Sequence, residues 1–216
     1  MKQVAIIDYN LGNLFSVKNA CSFLGMNVIV TSDPQDVVKA EAIILPGVGA
    51  FNEGMCNLDR LGLSEVIKSK VKNGTPLFGI CLGLQMLFTD SYEFGHHKGL
   101  GLIEGSIAKF PNHNEGLKLS VPFIGWNTLS FPNTDLKSRS PLSEFNSSDS
   151  FYFVHSYYAS PQNNSLILSN TTYNGFKYCS SIHDGNNIFA TQFHPEKSGK
   201  LGISIYKKWA IENKLI

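Results

Sequence analysis

The distribution of hydrophobic and polar residues divides the first half of the chain into short apolar runs and amphipathic stretches. Apolar runs predict strands, and stretches with helical periodicity predict helices. The predicted strands lie at about 4–8, 28–31, 42–45 and 77–80, and the predicted helices at about 13–24 and 51–73, the second broken near 61–62. Because strands and helices alternate, this half predicts a parallel sheet flanked by helices.

The second half of the chain has a different pattern. From about 102 to 189, alternating or aromatic stretches are separated by turn clusters, which predicts antiparallel additions to the sheet. A last apolar strand at 187–191 precedes the turn His194-Pro195-Glu196 and a final helix at about 199–213. We find no repeat or linker, so we expect one α/β domain over 1–216, with a mixed, largely parallel central sheet and a mobile loop at 137–149.

Length and charge are those of an ordinary globular protein. The 216 residues, 43% of them hydrophobic, suffice for one substantial core. With 18 basic and 17 acidic residues the formal net charge is +1, which gives no electrostatic case for nucleic acid or an anionic membrane as partner. The N-terminal apolar run ends at Asp8, far short of the roughly 20 residues of a membrane span. We therefore expect a cytoplasmic protein with a small-molecule or protein partner.

The four cysteines have no spacing typical of zinc sites or of secreted disulfide scaffolds. They are Cys21, Cys56, Cys81 and Cys179. We therefore expect free thiols, one of them reactive, and neither a metal nor a cofactor.

Cys81 has the sequence context of a nucleophile. It stands between Gly79 and Gly83, after an apolar strand and before a helical pattern, as in the nucleophile elbow of hydrolases. A sharp strand-to-helix turn crowds its neighbours, so glycine is favoured on both sides. The helix N-terminus would stabilise a thiolate, and the Leu82 amide could bind an oxyanion. The alternative is that Cys81 is a small buried hydrophobic residue.

His194 and Glu196 are the candidates to assist this thiol. A thiolate nucleophile needs a histidine to handle the proton and a third polar group to orient that histidine. His194 follows the last strand, as Cys81 follows its own strand, so both would lie at the carboxyl edge of the sheet, where α/β proteins bind ligands. Taken singly, His194 could be a turn histidine and Glu196 a carboxylate at a helix N-terminus.

Several dispersed segments together resemble the class I (triad) glutamine amidotransferases, in particular glutaminase subunits of imidazole glycerol phosphate synthase. The resemblance covers nearly the whole chain. The segments are Ile7-Asp8-Tyr9, Gly12-Asn13-Leu14, Pro46-Gly47-Val48-Gly49, Gly79-Ile80-Cys81-Leu82-Gly83, Gly125-Trp126-Asn127, 151–158 and Phe193-His194-Pro195-Glu196-Lys197-Ser198.

The resemblance implies a function and a set of site residues. Cys81 would attack the side-chain amide of glutamine, with His194 as base and acid and Glu196 orienting it, so that a thioester forms and is hydrolysed to glutamate and ammonia. The family's oxyanion strand corresponds to Gly47, Val48 and Gly49, opposite the Leu82 amide. The residues implied to bind the amino and carboxylate groups of glutamine are Gln85, Glu93, Ser156 and Tyr157.

The resemblance also implies a protein partner. Subunits of this family pass ammonia to a (β/α)8 cyclase subunit of the HisF type in histidine biosynthesis, and Asn13, Trp126 and Lys197 would lie near that contact. From the sequence alone, Trp126 could equally belong to the core.

Phe123 departs from the family pattern. At this position, two residues before Gly125-Trp126-Asn127, the family commonly has a histidine. This removes a polar group expected near the partner and leaves a second hypothesis, a paralogous glutaminase that supplies ammonia for surface-sugar amidation.

A non-catalytic regulatory module would normally have lost part of the triad. A cysteine peptidase is disfavoured by the 46–49 strand and by the spacing of His194 and Glu196.

Overall fold

The computed structural model describes residues 2–216 and consists of strands and helices in a mixed order. The strands are β1 (Gln3–Ile7), β2 (Asn27–Thr31), β3 (Ala42–Gly47), β4 (Leu77–Cys81), β5 (Phe88–Ser91), β6 (His97–Lys98), β7 (Ile103–Lys109), β8 (His113–Asn114), β9 (Leu117–Lys118), β10 (Phe123–Thr128), β11 (Ser150–His155), β12 (Tyr157–Pro161), β13 (Ile167–Tyr173), β14 (Phe176–His183) and β15 (Ile188–Thr191). The helices are α1 (Leu14–Phe23), α2 (Pro34–Lys39), α3 (Phe51–Arg60), α4 (Leu63–Lys72), α5 (Leu82–Met86), α6 (Thr134–Ser138) and α7 (Gly199–Glu212).

The main sheet has the strand order β2-β1-β3-β4-β15-β14-β12-β7-β5-β6, and β13 pairs with β14 outside this path. From β2 to β15 neighbouring strands are parallel, whereas β14 is antiparallel to both β15 and β12. The predicted α/β fold, with a largely parallel sheet and antiparallel additions, is therefore confirmed. None of the helices in residues 2–216 is long and apolar enough to cross a membrane.

The strands β10 and β11 differ from expectation, because they form a separate two-stranded sheet instead of extending the main one. Both alternate in burial: Phe123, Phe151 and Phe153 are buried, whereas Ile124 and Trp126 are exposed. A ribbon with one apolar face can cover a core from the side, so it does not need a place at the sheet edge.

The core lies on both faces of the main sheet, as the alternation of side chains along β4 illustrates. Phe78 points to one face, where its ring packs against Tyr206 and Trp209 of α7. Leu77 belongs to the opposite face, together with Phe51 of α3. Because helices cover both faces, the central parallel strands are buried along their length, as their continuous apolar sequences predicted.

Two local features were not predicted correctly. The six-residue helix α2 was missed, although Asp33 caps it by accepting a hydrogen bond from the Gln35 amide at 2.8 Å. The segment 137–149, expected to be a mobile loop, is anchored by Leu142 and Phe145, which are buried in the core. Because most residues of this segment are polar, the sequence did not indicate that Leu142 and Phe145 would be buried.

Candidate active site

The Cys81 elbow lies where β4 ends and α5 begins. Cys81 itself has φ 54° and ψ −106°, a strained conformation for a residue with a side chain. A Cβ on Gly83 would lie 1.7 Å from the Leu45 carbonyl oxygen, and one on Gly79 would lie 3.0 Å from the Ala190 Cβ. The flanking glycines are therefore required by close packing, and the unusual backbone angle falls on the cysteine.

His194 reaches the same edge of the sheet because β15 pairs with β4. The parallel register aligns Thr191 with Ile80, so the two strands end side by side. His194 Nδ1 and Glu196 Oε1 are 2.7 Å apart, and their side chains are 1% and 2% exposed. His194 Nε2 makes no regular hydrogen bond to any residue in the described range, and it is the ring nitrogen left to serve Cys81. The predicted meeting of these residues at the carboxyl edge therefore agrees with the geometry.

The electrostatics around His194 favour its protonated form. Burial alone would lower its pKa, but the charge of Cys81 and the Glu196 carboxylate outweigh burial and raise the pKa of His194 to about 10. An imidazolium next to a sulfur atom stabilises the thiolate, and it also holds a proton that a leaving amine can take.

A cavity of about 390 Å³ opens next to Cys81, within the size range of small-molecule sites. Most of the residues predicted to bind substrate or an oxyanion line it. These are Val48, Gly49, Leu82, Gln85, Glu93, Ser156 and Tyr157, and Lys197 lies there too.

The polar groups of the cavity are held by the protein itself. Gln85 Nε2 donates to the carbonyl oxygen of Tyr157 and to Oε1 of Gln192, both at 3.0 Å. The carboxylate of Glu93 accepts a hydrogen bond from the Phe51 amide at the start of α3. Gln85 Oε1 and the second carboxylate oxygen of Glu93 therefore remain available as acceptors for a ligand.

Gly47 is the one predicted oxyanion residue that does not line the cavity, and its place in the oxyanion strand stays a prediction. It ends β3 in register with Cys81 and packs against Tyr9, so that a Cβ on Gly47 would lie 1.9 Å from the Tyr9 hydroxyl. The same hydroxyl donates a hydrogen bond to the Pro46 carbonyl at 2.6 Å. Gly47 and buried Tyr9 therefore hold the end of β3, from which the chain continues into Val48 and Gly49.

An exposed apolar patch adjoins the cavity, and we call it the Trp126 face. Trp126 and Ile124 on β10 are 57% and 59% exposed. The Trp126 ring lies edge-on to Tyr152 at 5.9 Å, and Lys197 Nζ is 5.8 Å from the centre of the same Tyr152 ring. The face consists of Ile124, Trp126, Tyr152 and Lys197. Trp126 is therefore not a core residue.

Asn13 stands apart from this face but near it. It is the half-buried residue before α1, and α1 contacts the 3-10 helix Pro195–Lys197, which carries Lys197. Ile124 was missed in the sequence, although its two-residue spacing from Trp126 on a strand is a signal that could have found it.

His155 is a second buried histidine that sequence reasoning did not single out. Its Nδ1–H donates to the Tyr157 carbonyl at 2.8 Å, and its Nε2 accepts from the Tyr178 hydroxyl at 3.2 Å. Burial, followed by the charge of His194, lowers the pKa of His155 to about 4. The folded protein therefore holds His155 neutral.

We expect this histidine to destabilise the fold in acid. An unfolded histidine has a pKa of about 6.5, so between pH 6.5 and 4 the unfolded chain binds a proton that the folded chain does not, and stability falls as the pH falls. The loss should reach about 3 kcal/mol below pH 4. Urea unfolding from pH 7 to 4 measures it, and His155→Asn, which cannot titrate, should show a shallower decline. Parallel declines in the two proteins would contradict this expectation.

The chain matches the family model described as Glutamine amidotransferase class-I over residues 5–212. The imidazole glycerol phosphate synthase subunit HisH of Geobacter sulfurreducens is 45% identical over 97% of this chain and 98% of its own length. The HisH subunit of Geobacter metallireducens is 44% identical over 98% and 99%. A crystal structure of a glutamine amidotransferase shares the fold, with a TM-score of 0.71, 16% identity and 98% of each chain covered.

The chain therefore belongs to the class-I glutamine amidotransferases, which are enzymes. Within that class, its identity to full-length relatives places it in the family of imidazole glycerol phosphate synthase HisH subunits. The family resemblance read from the dispersed motifs is thus confirmed.

Proposed function

We propose that the chain is the glutaminase subunit of an imidazole glycerol phosphate synthase and forms a single domain. The observation that carries this proposal is the pairing of β4 with β15. Cys81 ends β4, and His194 and Glu196 follow β15, with His194 Nδ1 and Glu196 Oε1 2.7 Å apart. The arrangement has the nucleophile, proton carrier and orienting carboxylate of a catalytic triad.

The proposed reaction has two stages. The Cys81 thiolate attacks the side-chain amide carbon of glutamine, and His194 protonates the departing nitrogen, so that ammonia leaves and a thioester remains. His194, now neutral, takes a proton from water as the water attacks the thioester. The carbon–sulfur bond then breaks, which releases glutamate and returns the thiolate. Glu196 keeps the His194 ring oriented and stabilises its charge throughout.

The cavity offers groups for each part of the substrate. Val48, Gly49 and Leu82 line the cavity together with Cys81, and their backbone amides would donate to the oxyanion, each such donor being worth about 3 kcal/mol in the transition state. Glu93 and the free oxygen of Gln85 would accept from the ammonium group of glutamine. The backbone and side chains of Ser156 and Tyr157 would hold its carboxylate.

We further propose that a (β/α)8 cyclase subunit docks on the Trp126 face and receives the ammonia for histidine biosynthesis. This face joins an exposed tryptophan, an isoleucine and a lysine beside the cavity, and exposed aromatic anchors of this kind dominate many protein interfaces. Asn13 would lie at its edge.

The departure at Phe123 does not support the surface-sugar paralogue. Its side chain is only 8% exposed and stacks on Tyr173, with ring centres 4.3 Å apart. The substitution therefore alters the core behind β10 and leaves the outward residues Ile124 and Trp126 unchanged. The reason for preferring a different partner thus disappears.

Glutamate release should be slow for the isolated chain and rise at least about 100-fold when the cyclase subunit and its nucleotide ligand are added, because we expect the partner to rearrange the oxyanion segment 47–49. Titration calorimetry and a glutamate assay test this. Trp126→Ala should weaken the complex by about 2 kcal/mol or more, whereas Phe23→Ala, which removes an aromatic side chain that is 80% exposed on α1, should leave binding unchanged. Full activity without a partner, or equal effects of the two variants, would contradict the proposal.

A further inference from the structure

Gln192 is a fully buried polar residue beside the proposed nucleophile. Its side chain is 0% exposed, and its Nε2 lies 3.6 Å from Cys81 Sγ. Its backbone amide donates to the Ser180 carbonyl at 2.9 Å, which extends the pairing between β15 and β14 by one residue. The sheet therefore fixes the backbone of Gln192, and this backbone position places the side-chain amide next to the Cys81 sulfur.

The hydrogen-bond network fixes which end of the Gln192 amide meets the sulfur. The Tyr157 carbonyl can only accept, so the Gln85 atom 3.0 Å from it must be the nitrogen. That same nitrogen lies 3.0 Å from Gln192, so the Gln192 atom facing it must be the oxygen. The Gln192 nitrogen is consequently the atom directed at Cys81.

The two polar groups next to the Cys81 sulfur, the Val154 carbonyl and the Gln192 N–H, interact differently with the thiol and with the thiolate. As a thiol, Cys81 can donate to the Val154 carbonyl at 3.8 Å, but as a thiolate it gains nothing from that oxygen. The Gln192 N–H is a donor, and a hydrogen bond to an ionised acceptor is stronger than one to a neutral acceptor. It therefore favours the reactive, ionised sulfur.

We propose that Gln192 is a further catalytic residue, whose side-chain N–H bonds the Cys81 thiolate while Gln85 holds the opposite end of its amide in place. The inference rests on the proposed function, because it takes Cys81 as the nucleophile. The thiolate is also the leaving group when water cleaves the thioester, so the same donor assists the second stage. Gln85 thereby links the ligand cavity to the nucleophile as a positioning residue.

The test is the pH dependence of Cys81 alkylation by iodoacetamide, followed on the Cys81 peptide by mass spectrometry in the full chain. Gln192→Met keeps the length of the side chain and removes the donor, so the pH midpoint of alkylation should rise by at least about one unit, which is a tenfold loss of thiolate at any pH below the wild-type midpoint. Gln192→Glu keeps an acceptor for Gln85 and replaces the donor, so its midpoint should rise at least as far. At a pH below the wild-type alkylation midpoint, the rate of glutamate release should fall about tenfold or more in both variants.

The matched control is Thr191→Val, which removes a neighbouring buried hydrogen bond, from Thr191 Oγ1 to the Phe193 carbonyl at 3.0 Å, without reaching Cys81. Its alkylation midpoint should equal that of the wild type. If a folded Gln192→Met or Gln192→Glu protein keeps the wild-type midpoint, or if Thr191→Val shifts it equally, the proposal is overturned. Cys81→Ser, assayed in parallel, separates the two failures, since glutamine turnover in that variant would instead refute the proposed nucleophile.

Discussion

Glutamate release by Cys81→Ser is expected to fall by a factor of at least about 10⁴, because removal of the proposed nucleophile would leave only oxyanion binding and substrate positioning. A serine hydroxyl is far less acidic than a thiol, so the charge of His194 cannot ionise it at neutral pH. The assay should be run with the cyclase subunit present, so that residual activity is measured at its highest.

The same substitution should leave the structure intact. Serine is slightly smaller than cysteine and places the same Cβ in the strained conformation at φ 54°. The melting temperature should change by only a few degrees. Cys56→Ser provides the matched control, because Cys56 is an exposed cysteine on α3 and its loss should leave turnover unchanged. Turnover near the wild-type rate in Cys81→Ser would remove Cys81 from the mechanism.

Gly47→Ala is expected to reduce both activity and stability. The added methyl would lie 1.9 Å from the Tyr9 hydroxyl and 3.0 Å from the Leu82 Cβ, and both neighbours are buried. Gly47 has no positive φ, so the clash is the sole penalty. Overpacking of this kind costs about 1–3 kcal/mol. Because Val48 and Gly49 follow directly, a displacement near 1 Å should also lower glutamate release about 100-fold.

A second substitution tests whether the clash with Tyr9 is the cause. Tyr9→Phe alone leaves the Pro46 carbonyl without its donor and should cost about 1–3 kcal/mol. In the double variant the methyl fills the space of the lost hydroxyl, so the combined loss of unfolding free energy should be smaller than the sum by about 1 kcal/mol or more. Urea unfolding of the four proteins measures this coupling. Additive losses would show that Gly47 is constrained by Leu82 or by the backbone instead.

The sequence was most informative where the chain is most regular. Continuous apolar runs identified β1, β3 and β4, because a strand that is buried on both faces is apolar along its length. Motif spacing located Cys81 and His194, and the rule that parallel strands share a carboxyl edge was enough to expect them together. Adjacency of β4 and β15 was not predictable, because strand order depends on packing across the whole sheet.

The site residues that were missed share one property, since each acts through a tertiary contact. Gln192 and His155 are polar residues within apolar segments, and nothing local indicates that one faces a sulfur and the other a tyrosine hydroxyl. Tyr9 belongs to the segment Ile7-Asp8-Tyr9, but its hydrogen bond to the Pro46 carbonyl spans 37 positions, which the sequence does not reveal. The family resemblance predicted Gly47 in the oxyanion strand, but its packing against Tyr9 is a tertiary contact that the sequence does not show.

The pairing of β4 with β15 also has a consequence for biosynthesis of the chain. Cys81 ends β4 and His194 follows β15. Residues that pair across these two strands, such as Phe78 and Phe189, are more than a hundred positions apart in the sequence. Contacts of such high sequence separation form late, after the entropy of closing the intervening chain has been overcome. A nascent chain emerges from the ribosome N-terminal end first, so β4 cannot pair with β15 until the intervening residues have been made. The thiol therefore gains its histidine only after residue 194 has been made, and under the proposed function a nascent chain that stops before this residue would release no ammonia.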